Sequence, residues 1–179
     1  MIATKEMLRC CRRCGLYRTR RNVVIGRGDP NAGVVFVGEA PGEKEDEQGL
    51  PFVGRAGGLL DFVMREISFE IPYYITNILK CRPPNNRNPD SGEIERCLPW
   101  LISQLEIISP SCVVTLGGIA ASVLLPSLKA RRISAIKGKF YNTGTTVIYP
   151  MWHPAYVLRN KSRLKEFIMD FHLLKVNLK

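Results

Sequence analysis

The sequence predicts an α/β fold, a parallel sheet with helices packed against both of its faces. Two observations predict this class: short apolar runs recur along the chain, and segments with apolar residues at helical spacing separate them. Strands that alternate with helices pair in parallel, and ligands of such sheets bind beyond the carboxyl ends of the strands. A third observation is length, since 179 residues suffice for one core, and we expect residues 1–179 to form a single domain.

Four short runs of β-branched, aromatic and aliphatic residues predict the strands. They cover residues 34–37, 73–76, 112–116 and 145–149. We expect Pro150 to end the fourth strand, because proline donates no hydrogen bond to a sheet. The residues just beyond the four strand ends are therefore the first place to look for a site.

Helices are predicted between and after these strands. Apolar residues at helical spacing predict a helix over 55–67. Asp90 and Glu93 form a capping-box pair for a helix that runs to about Ile107, and we expect a bend at Pro99. The other predicted helices cover the N-terminus to about residue 13, the residues from 118 through 125, and a last segment capped by Ser162.

Two segments are predicted to lack regular structure. Residues 81–89 are dominated by proline and asparagine, and residues 129–144 are basic and contain glycine. We expect the first to be a loop and the second to be a flexible excursion on the surface.

The chain is basic, since 26 Lys and Arg residues against 16 Asp and Glu residues give a formal charge of +10. Clusters of basic residues favour a polyanionic partner, and nucleic acid is the expected one; a basic soluble protein without such a partner is the alternative. The sequence contains no run of about 18 apolar residues, and charges occupy the N-terminus where a signal peptide is apolar, so we expect a cytoplasmic protein. The basic clusters lie at 9–21, 80–87, 129–139 and 159–165.

One acidic segment departs from this basic composition. Residues 38–57 read GEAPGEKEDEQGLPFVGRAG and combine glycines and prolines with five acidic residues directly after the first predicted strand. The segment contains neither a G-x-x-x-x-G-K-S/T nor a G-x-G-x-x-G pattern, and its acids would repel phosphate, so nucleotide binding is disfavoured. A solvated acidic loop is one interpretation, and a loop that presents a site is the other.

Six cysteines in a chain expected to be intracellular indicate metal binding or reactive thiols rather than disulfides. Cys11 and Cys14 form a C-x-x-C pair, and Cys81 and Cys97 follow far along the chain. Four thiolates are able to hold zinc or a 4Fe-4S cluster, and the spacing leaves both open. Cys10 is an alternative ligand to Cys11.

Four motifs occur in order along the chain: GEAPGEKED, GLPFVGRAGGLLD, YITNILKCRPPNNRNP and WHPAYVLRN. Together they resemble family 4 of the uracil-DNA glycosylases, the iron-sulfur type found in archaea and thermophilic bacteria, over residues 11–160. The resemblance implies a three-layer α/β/α sandwich around a four-stranded parallel sheet. It implies an enzyme that hydrolyses the N-glycosidic bond of uracil in DNA and so begins base excision repair. The motifs contain no convincing lysine nucleophile, which favours a monofunctional enzyme without lyase activity. It also implies a 4Fe-4S cluster held by Cys11, Cys14, Cys81 and Cys97.

The resemblance assigns binding roles to residues near the predicted strand ends. Phe52 matches the aromatic platform for the extruded base, and Asn77 matches the residue that reads the uracil edge. Gly38, Ala40 and Asn86 match further positions of the substrate pocket.

The resemblance also assigns the chemistry. His153 matches the family's histidine, which donates to O2 of uracil as negative charge collects on the departing base. Glu39 and Glu45 match acidic positions and are assigned to water handling, stabilisation of the oxocarbenium ion or pocket shaping. Gly42 stands where other families have the tyrosine that blocks the methyl group of thymine, so Glu45 is the candidate for that exclusion. Ala155 replaces the serine that usually follows His-Pro.

The substrate that the resemblance implies is uracil-containing DNA, and residues 156–159 are expected to enter the minor groove and hold the duplex open. We expect a monomer, with a sliding clamp as a candidate partner. Three alternatives stay open: a glycosylase of the same superfamily that accepts a broader range of deaminated bases, a non-catalytic iron-sulfur module that binds nucleic acid, and a redox sensor that uses the cluster.

Overall fold

A mixed sheet of six strands organises the fold. In this computed structural model, which describes residues 7–178, the strand order is β1-β3-β2-β4-β6-β5. β2 pairs in parallel with β3 and β4, and β4 pairs in parallel with β6, whereas β1 and β5 are antiparallel strands at the two edges. The strands are β1 (Arg27–Gly28), β2 (Val34–Gly38), β3 (Tyr73–Asn77), β4 (Cys112–Leu116), β5 (Tyr141–Asn142) and β6 (Val147–Met151).

The sheet differs from the prediction in two ways. The sequence predicts four strands, and the sheet has six, because the two edge strands are only two residues long and carry no apolar run. The prediction that Pro150 ends the last strand is wrong, since β6 continues to Met151. β5 pairs with β6 only at Val147 and Ile148. At Pro150 this side of β6 has no neighbouring strand that would need an N–H donor, so the strand tolerates the proline.

Helices cover both faces of the sheet. Phe36 of β2 packs in one apolar cluster with Leu60 of the helix Arg55–Glu66 and Phe171 of the helix Leu164–Asn177. Its neighbour Val37 packs in another cluster with Leu101 of the helix Ser91–Ile108. Successive strand residues point to opposite faces, so the fully buried β2 serves both clusters. The helices are α1 (Glu43–Gln48), α2 (Arg55–Glu66), α3 (Ser91–Ile108), α4 (Gly118–Leu124), α5 (Ile133–Ile136), α6 (Pro154–Arg159) and α7 (Leu164–Asn177).

The start of α3 follows the predicted capping box. The Asp90 N–H donates to the Glu93 carboxylate at 2.9 Å, and the helix begins directly after Asp90. α3 then runs without interruption past Pro99 to Ile108. The N-terminal helix predicted to about residue 13 lies partly outside the described residues; within them, only residues 7–9 are helical.

Three local predictions are wrong. The acidic segment 38–57 is not a loop throughout, because α1 forms within it. Ser162 does not cap the last helix; it lies in a 3-10 turn, Lys161–Arg163, that leads directly into α7. Residues 129–144 are not one excursion, since they contain α5 and the edge strand β5.

Within residues 7–178, the structure contains no helix with the length and apolar composition needed to cross a membrane.

Candidate active site

A cavity of about 360 Å³ opens at the carboxyl ends of the parallel strands. Its wall contains residues that follow β2, the last residue of β3 and a residue that follows β6. Ligands of α/β sheets bind in this position, beyond the carboxyl ends of the strands. Most of the residues assigned to the site from the sequence line this cavity: Glu39, Ala40, Glu45, Phe52, Asn77, Asn86 and His153.

Gly38 is the assigned residue that does not line the cavity, and it lies directly behind the wall. A β-carbon at Gly38 would be 2.6 Å from the tip of the Phe52 ring and would also overlap the amide oxygen of Asn77. A larger residue at this strand end would therefore displace both side chains. Glycine is required here by close approach.

Asn77 presents an unsatisfied amide to the cavity. The residue is only 2% exposed, and its side-chain oxygen is buried without a hydrogen-bond partner among the described residues. Its backbone carbonyl accepts a hydrogen bond from the Lys80 ammonium at 2.7 Å, which fixes the strand end. A buried polar atom without a partner costs about 1 to 3 kcal/mol, so a ligand that pairs with this amide recovers that free energy.

Phe52 is held in a strained backbone conformation. Its φ is +53°, in the left-handed region, and its ring centroid lies 5.8 Å from that of His153. Gly57 packs so closely on the Phe52 carbonyl that a β-carbon there would collide with it. A bulky residue in this region costs on the order of 1 to 3 kcal/mol, and such strain concentrates at functional sites. This backbone conformation places the aromatic ring in the cavity wall.

His153 lies at the N-cap of α6 and is held as a neutral imidazole. Its Nδ1 accepts a hydrogen bond from the backbone N–H of Ala155 at 3.1 Å, so the proton of the neutral ring is on Nε2. Burial, together with the nearby charge of Arg159, lowers the pKa of His153 to about 4. At neutral pH the cavity is therefore offered an uncharged N–H donor. The contact does not need the serine that usually follows His-Pro, because the backbone N–H of Ala155 makes it.

The carboxylate of Glu45 is occupied by the backbone around it. One oxygen accepts from the N–H groups of Val53 and Gly54 at 2.9 and 2.8 Å, and the other accepts from Gly42 at 3.1 Å. These bonds tie the start of α1 to the residues that follow Phe52. Glu45 therefore shapes the cavity wall.

Glu39 is the contrasting acid. Among the described residues its carboxylate makes no hydrogen bond or ion pair, and burial raises its pKa above the ordinary value. Its backbone carbonyl is bonded to the Leu79 N–H at 3.0 Å, which fixes the residue beyond β2. Glu39 is thus a carboxylate in the wall that is available to a substrate or a water molecule.

The proline-rich segment after β3 closes another side of the cavity. Asn85 and Asn86 both have positive φ, at 54° and 55°, inside the turn Pro84–Asn86. The Asn86 side chain accepts from Arg82 at 2.8 Å, which orients it. Arg87 forms two hydrogen bonds with Glu93, at 2.9 and 2.6 Å, and so joins this segment to the first turn of α3.

The structure contains a second, small cavity of about 10 Å³. It is closed by the apolar side chains of Leu8 and Trp100, with Leu16 packed in the same cluster. Four cysteines line it: Cys11, Cys14, Cys81 and Cys97. The four cysteines that are candidate ligands in the sequence therefore lie around one cavity.

The surroundings of these thiols fit a negatively charged group. Arg20 donates to the Cys81 sulfur at 3.2 Å, and the Lys80 N–H donates to the Cys97 sulfur at 3.4 Å. In the thiol form, burial raises the pKa of Cys81 to about 11, so ionisation of this group needs a cation or a metal. Cys10 is exposed and does not line the cavity. Within residues 7–178, no three His, Cys, Asp or Glu side chains are grouped as the ligands of a single metal ion.

Comparison with known proteins identifies the family. The family model described as "Uracil DNA glycosylase superfamily" matches residues 25–173. The chain belongs to the uracil-DNA glycosylase superfamily. The resemblance seen in the four sequence motifs is confirmed.

Curated members of this superfamily match nearly the whole chain. A type-4 uracil-DNA glycosylase of Archaeoglobus fulgidus is 45% identical over 168 residues, which are 90% of this chain and 84% of the relative. Type-4 enzymes of Saccharolobus solfataricus and Pyrobaculum aerophilum are each 42% identical, over 95% and 92% of this chain and 82% and 88% of the relatives.

Arg87 and Asn88 line the main cavity, although the sequence assigns neither of them to the site. Arg159 lines it too, whereas the sequence predicts that residues 156–159 enter the minor groove. The only signal for Arg87 is its basic cluster, which predicts a charged surface rather than a cavity wall. Asn88 gave no signal apart from its place in a proline-rich loop.

Proposed function

We propose that this chain is a uracil-DNA glycosylase that extrudes uracil from DNA and hydrolyses its N-glycosidic bond. The observation that carries the proposal is the cavity that joins the unpartnered amide of Asn77, the ring of Phe52 and the neutral imidazole of His153. Curated relatives that are 42 to 45% identical to this chain are named type-4 uracil-DNA glycosylases. Release of the base would leave an abasic site, the starting point of base excision repair.

The Asn77 amide supplies the means to distinguish uracil from cytosine. Its nitrogen would donate to O4 of uracil, and its oxygen would accept from N3–H. Cytosine presents a donor at the first position and no proton at the second, so both contacts would fail. Each mismatched buried group costs about 1 to 3 kcal/mol, which is enough to reject cytosine.

The aromatic ring supports the base in its extruded position. An enzyme that acts on a base inside a duplex has to rotate it out of the stack, and the lost stacking is replaced by an aromatic side chain. Phe52 is 6% exposed, so the ring is fixed in the wall rather than free in solvent. Gly38 gives it the room to lie there.

His153 supports departure of the base. As the bond between C1′ of the sugar and N1 of uracil breaks, its electron pair moves onto the base, and charge collects at O2. The Nε2–H of a neutral imidazole is a donor that would stabilise this charge without giving up its proton. The lowered pKa of His153 keeps the ring in this state above about pH 4.

The two acids divide the remaining tasks. Water has to add to C1′ of the oxocarbenium ion and lose a proton, and the unpaired carboxylate of Glu39 is available to orient that water and offset the positive charge. Glu45 is committed to backbone N–H groups and excludes thymine by position. A β-carbon at Gly42 would lie 2.8 Å from the Glu45 carboxylate, so this side chain fills the space beside Gly42.

Hydrolysis without a lyase step is part of the proposal. No lysine is among the described residues that line the cavity. The nearest buried amine, Lys80, donates to the Thr76 hydroxyl and the Asn77 carbonyl at 2.6 and 2.7 Å. The absence of a free amine in this wall supports a monofunctional enzyme that uses water.

We also propose that Cys11, Cys14, Cys81 and Cys97 hold a 4Fe-4S cluster. The four thiols line one enclosed cavity, and Arg20 and the Lys80 N–H supply hydrogen bonds to two of the sulfurs. When bound, the cluster would cross-link the N-terminal segment to the residues that follow β3 and to α3. Hydrolysis of the glycosidic bond draws on none of its redox chemistry.

A panel of duplexes tests the proposed activity. We expect single-turnover release of uracil opposite G and opposite A, detected as strand cleavage at the abasic site. Duplexes with thymine or hypoxanthine opposite G test the broader-specificity alternative, and we expect much slower release from both. Failure to release uracil from any duplex would contradict the proposal, and comparable release of hypoxanthine would replace it with the broader activity.

A further inference from the structure

Arg27 lies outside the cavity but contacts the backbone that carries the aromatic platform. It belongs to the edge strand β1, and it is not among the residues that line the cavity. Its Nε donates to the Pro51 carbonyl at 3.0 Å, and a terminal nitrogen lies 3.5 Å from the Phe52 carbonyl. The same terminal nitrogen donates to Asp61 of α2 at 2.7 Å.

These contacts fix both peptide groups that flank Phe52. The carbonyl of the peptide before Phe52 is held by Arg27, and the carbonyl of the peptide after it faces the same guanidinium. The N–H of that second peptide, which belongs to Val53, is held by Glu45 at 2.9 Å. Since φ and ψ of a residue are set by its two flanking peptide planes, this arrangement maintains the positive φ of Phe52.

The geometry requires an arginine supported by a carboxylate. A guanidinium has several N–H groups in one plane and is able to reach two carbonyls and Asp61 at once, whereas a lysine ammonium is a point donor. Asp61 lies in the middle of α2, so its position follows that helix. The Arg27 side chain is 25% exposed, and its ion pair with Asp61 fixes its orientation.

We propose that Arg27, supported by Asp61, is a positioning residue that keeps the Phe52 ring aligned with an extruded base. This inference rests on the proposed uracil-DNA glycosylase activity. Arg27 acts through the backbone of Phe52 and touches neither the base nor the reacting bond. Loss of the guanidinium would let Phe52 leave the left-handed region and withdraw its ring from the wall.

A double-mutant cycle on uracil excision tests the proposal. Under single-turnover conditions we expect Arg27→Ala to lower the maximal rate at least about tenfold, while the DNA concentration at half-maximal rate changes less than about twofold. Arg27→Lys should recover only part of the rate. In a Phe52→Ala background, Arg27→Ala should have no further effect, because its route to the base has been removed.

Lys175→Ala provides a matched control. Lys175 donates to the carbonyl of Ile67 at 2.7 Å, and Ile67 directly follows the last residue of α2. Lys175 is therefore, like Arg27, a cation bound to a backbone carbonyl. We expect it to lower the melting temperature without lowering the maximal rate. If Arg27→Ala does not fold, Asp61→Asn weakens the same support and should lower the maximal rate in the same Phe52-dependent way.

The outcomes separate the two proposals. Wild-type protein that releases no uracil would contradict the proposed function. Wild-type protein that is active, with an Arg27→Ala rate equal to that of wild type or equally reduced in the Phe52→Ala background, would overturn the positioning role alone.

Discussion

The main cavity and the small cavity lined by the four cysteines, here called the cysteine cavity, both include residues of the segment 77–81. They differ in size and in the chemical groups that line them. Asn77 ends β3 in the wall of the first, and Cys81 lies in the wall of the second. The first has about 360 Å³ and contains the unpartnered groups of Asn77 and Glu39. The second has about 10 Å³, is lined by four thiols, and supplies hydrogen bonds to two of their sulfurs. Trp100 in its wall also has a buried indole N–H without a partner among the described residues. A wide cavity with unpartnered polar groups suits a transient substrate, whereas a narrow cavity lined by thiols suits a permanently bound group.

Lys80 joins these two regions. Its ammonium donates to the backbone carbonyl of Asn77, and its own N–H donates to the sulfur of Cys97. The ammonium is fully buried, and burial lowers the pKa of Lys80 to about 7. The position of Asn77 therefore depends on packing around the cysteines. We therefore expect substitutions in the main cavity to lower the rate of uracil release directly. Substitutions in the cysteine cavity should instead lower the free energy of unfolding.

The largest effect on activity should come from His153→Ala. Removal of one donor to a developing anion typically costs on the order of 10² to 10³ in rate. We expect a loss of that size in single-turnover uracil release, with the melting temperature and the visible absorbance of an iron-sulfur cluster retained. A rate within a few-fold of wild type would show that O2 is stabilised by another group.

A smaller effect on activity, and a larger one on stability, should follow Cys81→Ser. We expect this variant to lose visible absorbance and about 2 to 5 kcal/mol of unfolding free energy, the range for loss of a structural cross-link. Uracil release at a temperature where the variant stays folded should fall less than in His153→Ala. Cys10→Ser is the control, because Cys10 is exposed and outside the cavity. Wild-type protein that is colourless and contains zinc would contradict the cluster.

The smallest effect concerns the pH dependence of stability. The pKa of His153 falls from its ordinary value of 6.5 to about 4 on folding, so between these pH values the unfolded state binds more protons. Its stabilising contribution is full above pH 6.5 and decreases as the pH falls towards 4, by on the order of 3 kcal/mol in total. Unfolding free energies of wild type should therefore fall more steeply than those of His153→Gln in this range. Equal slopes would show that the imidazole is not neutral by burial.

The sequence predicts those parts of the molecule that depend on local pattern. The buried strands β2 and β4 follow apolar runs, and the start of α3 follows its capping box. Asn77 lies at the end of β3, as the run of β-branched and aromatic residues before it predicts. Each of these features is set by neighbours in sequence.

Other features depend on contacts that the sequence does not reveal. α1 replaces the predicted loop because Glu45 accepts hydrogen bonds from Gly42 and from residues eight and nine positions later. The bonds of Arg27 to the backbone around Phe52 span more than twenty residues and involve carbonyls, which are present at every position. The division of roles between Glu39 and Glu45 likewise appears only when their partners are known.

Recognition of uracil depends on the unpartnered amide of Asn77, which Asn77→Ala removes. Thr115→Val is the matched control, because the Thr115 hydroxyl is also buried without a partner but does not line the main cavity. In single-turnover uracil release we expect Asn77→Ala to lose at least about thirtyfold, as expected for two lost contacts of about 1 to 3 kcal/mol each. Thr115→Val should keep the wild-type rate. A wild-type rate in Asn77→Ala, with the protein folded, would contradict the account of uracil recognition.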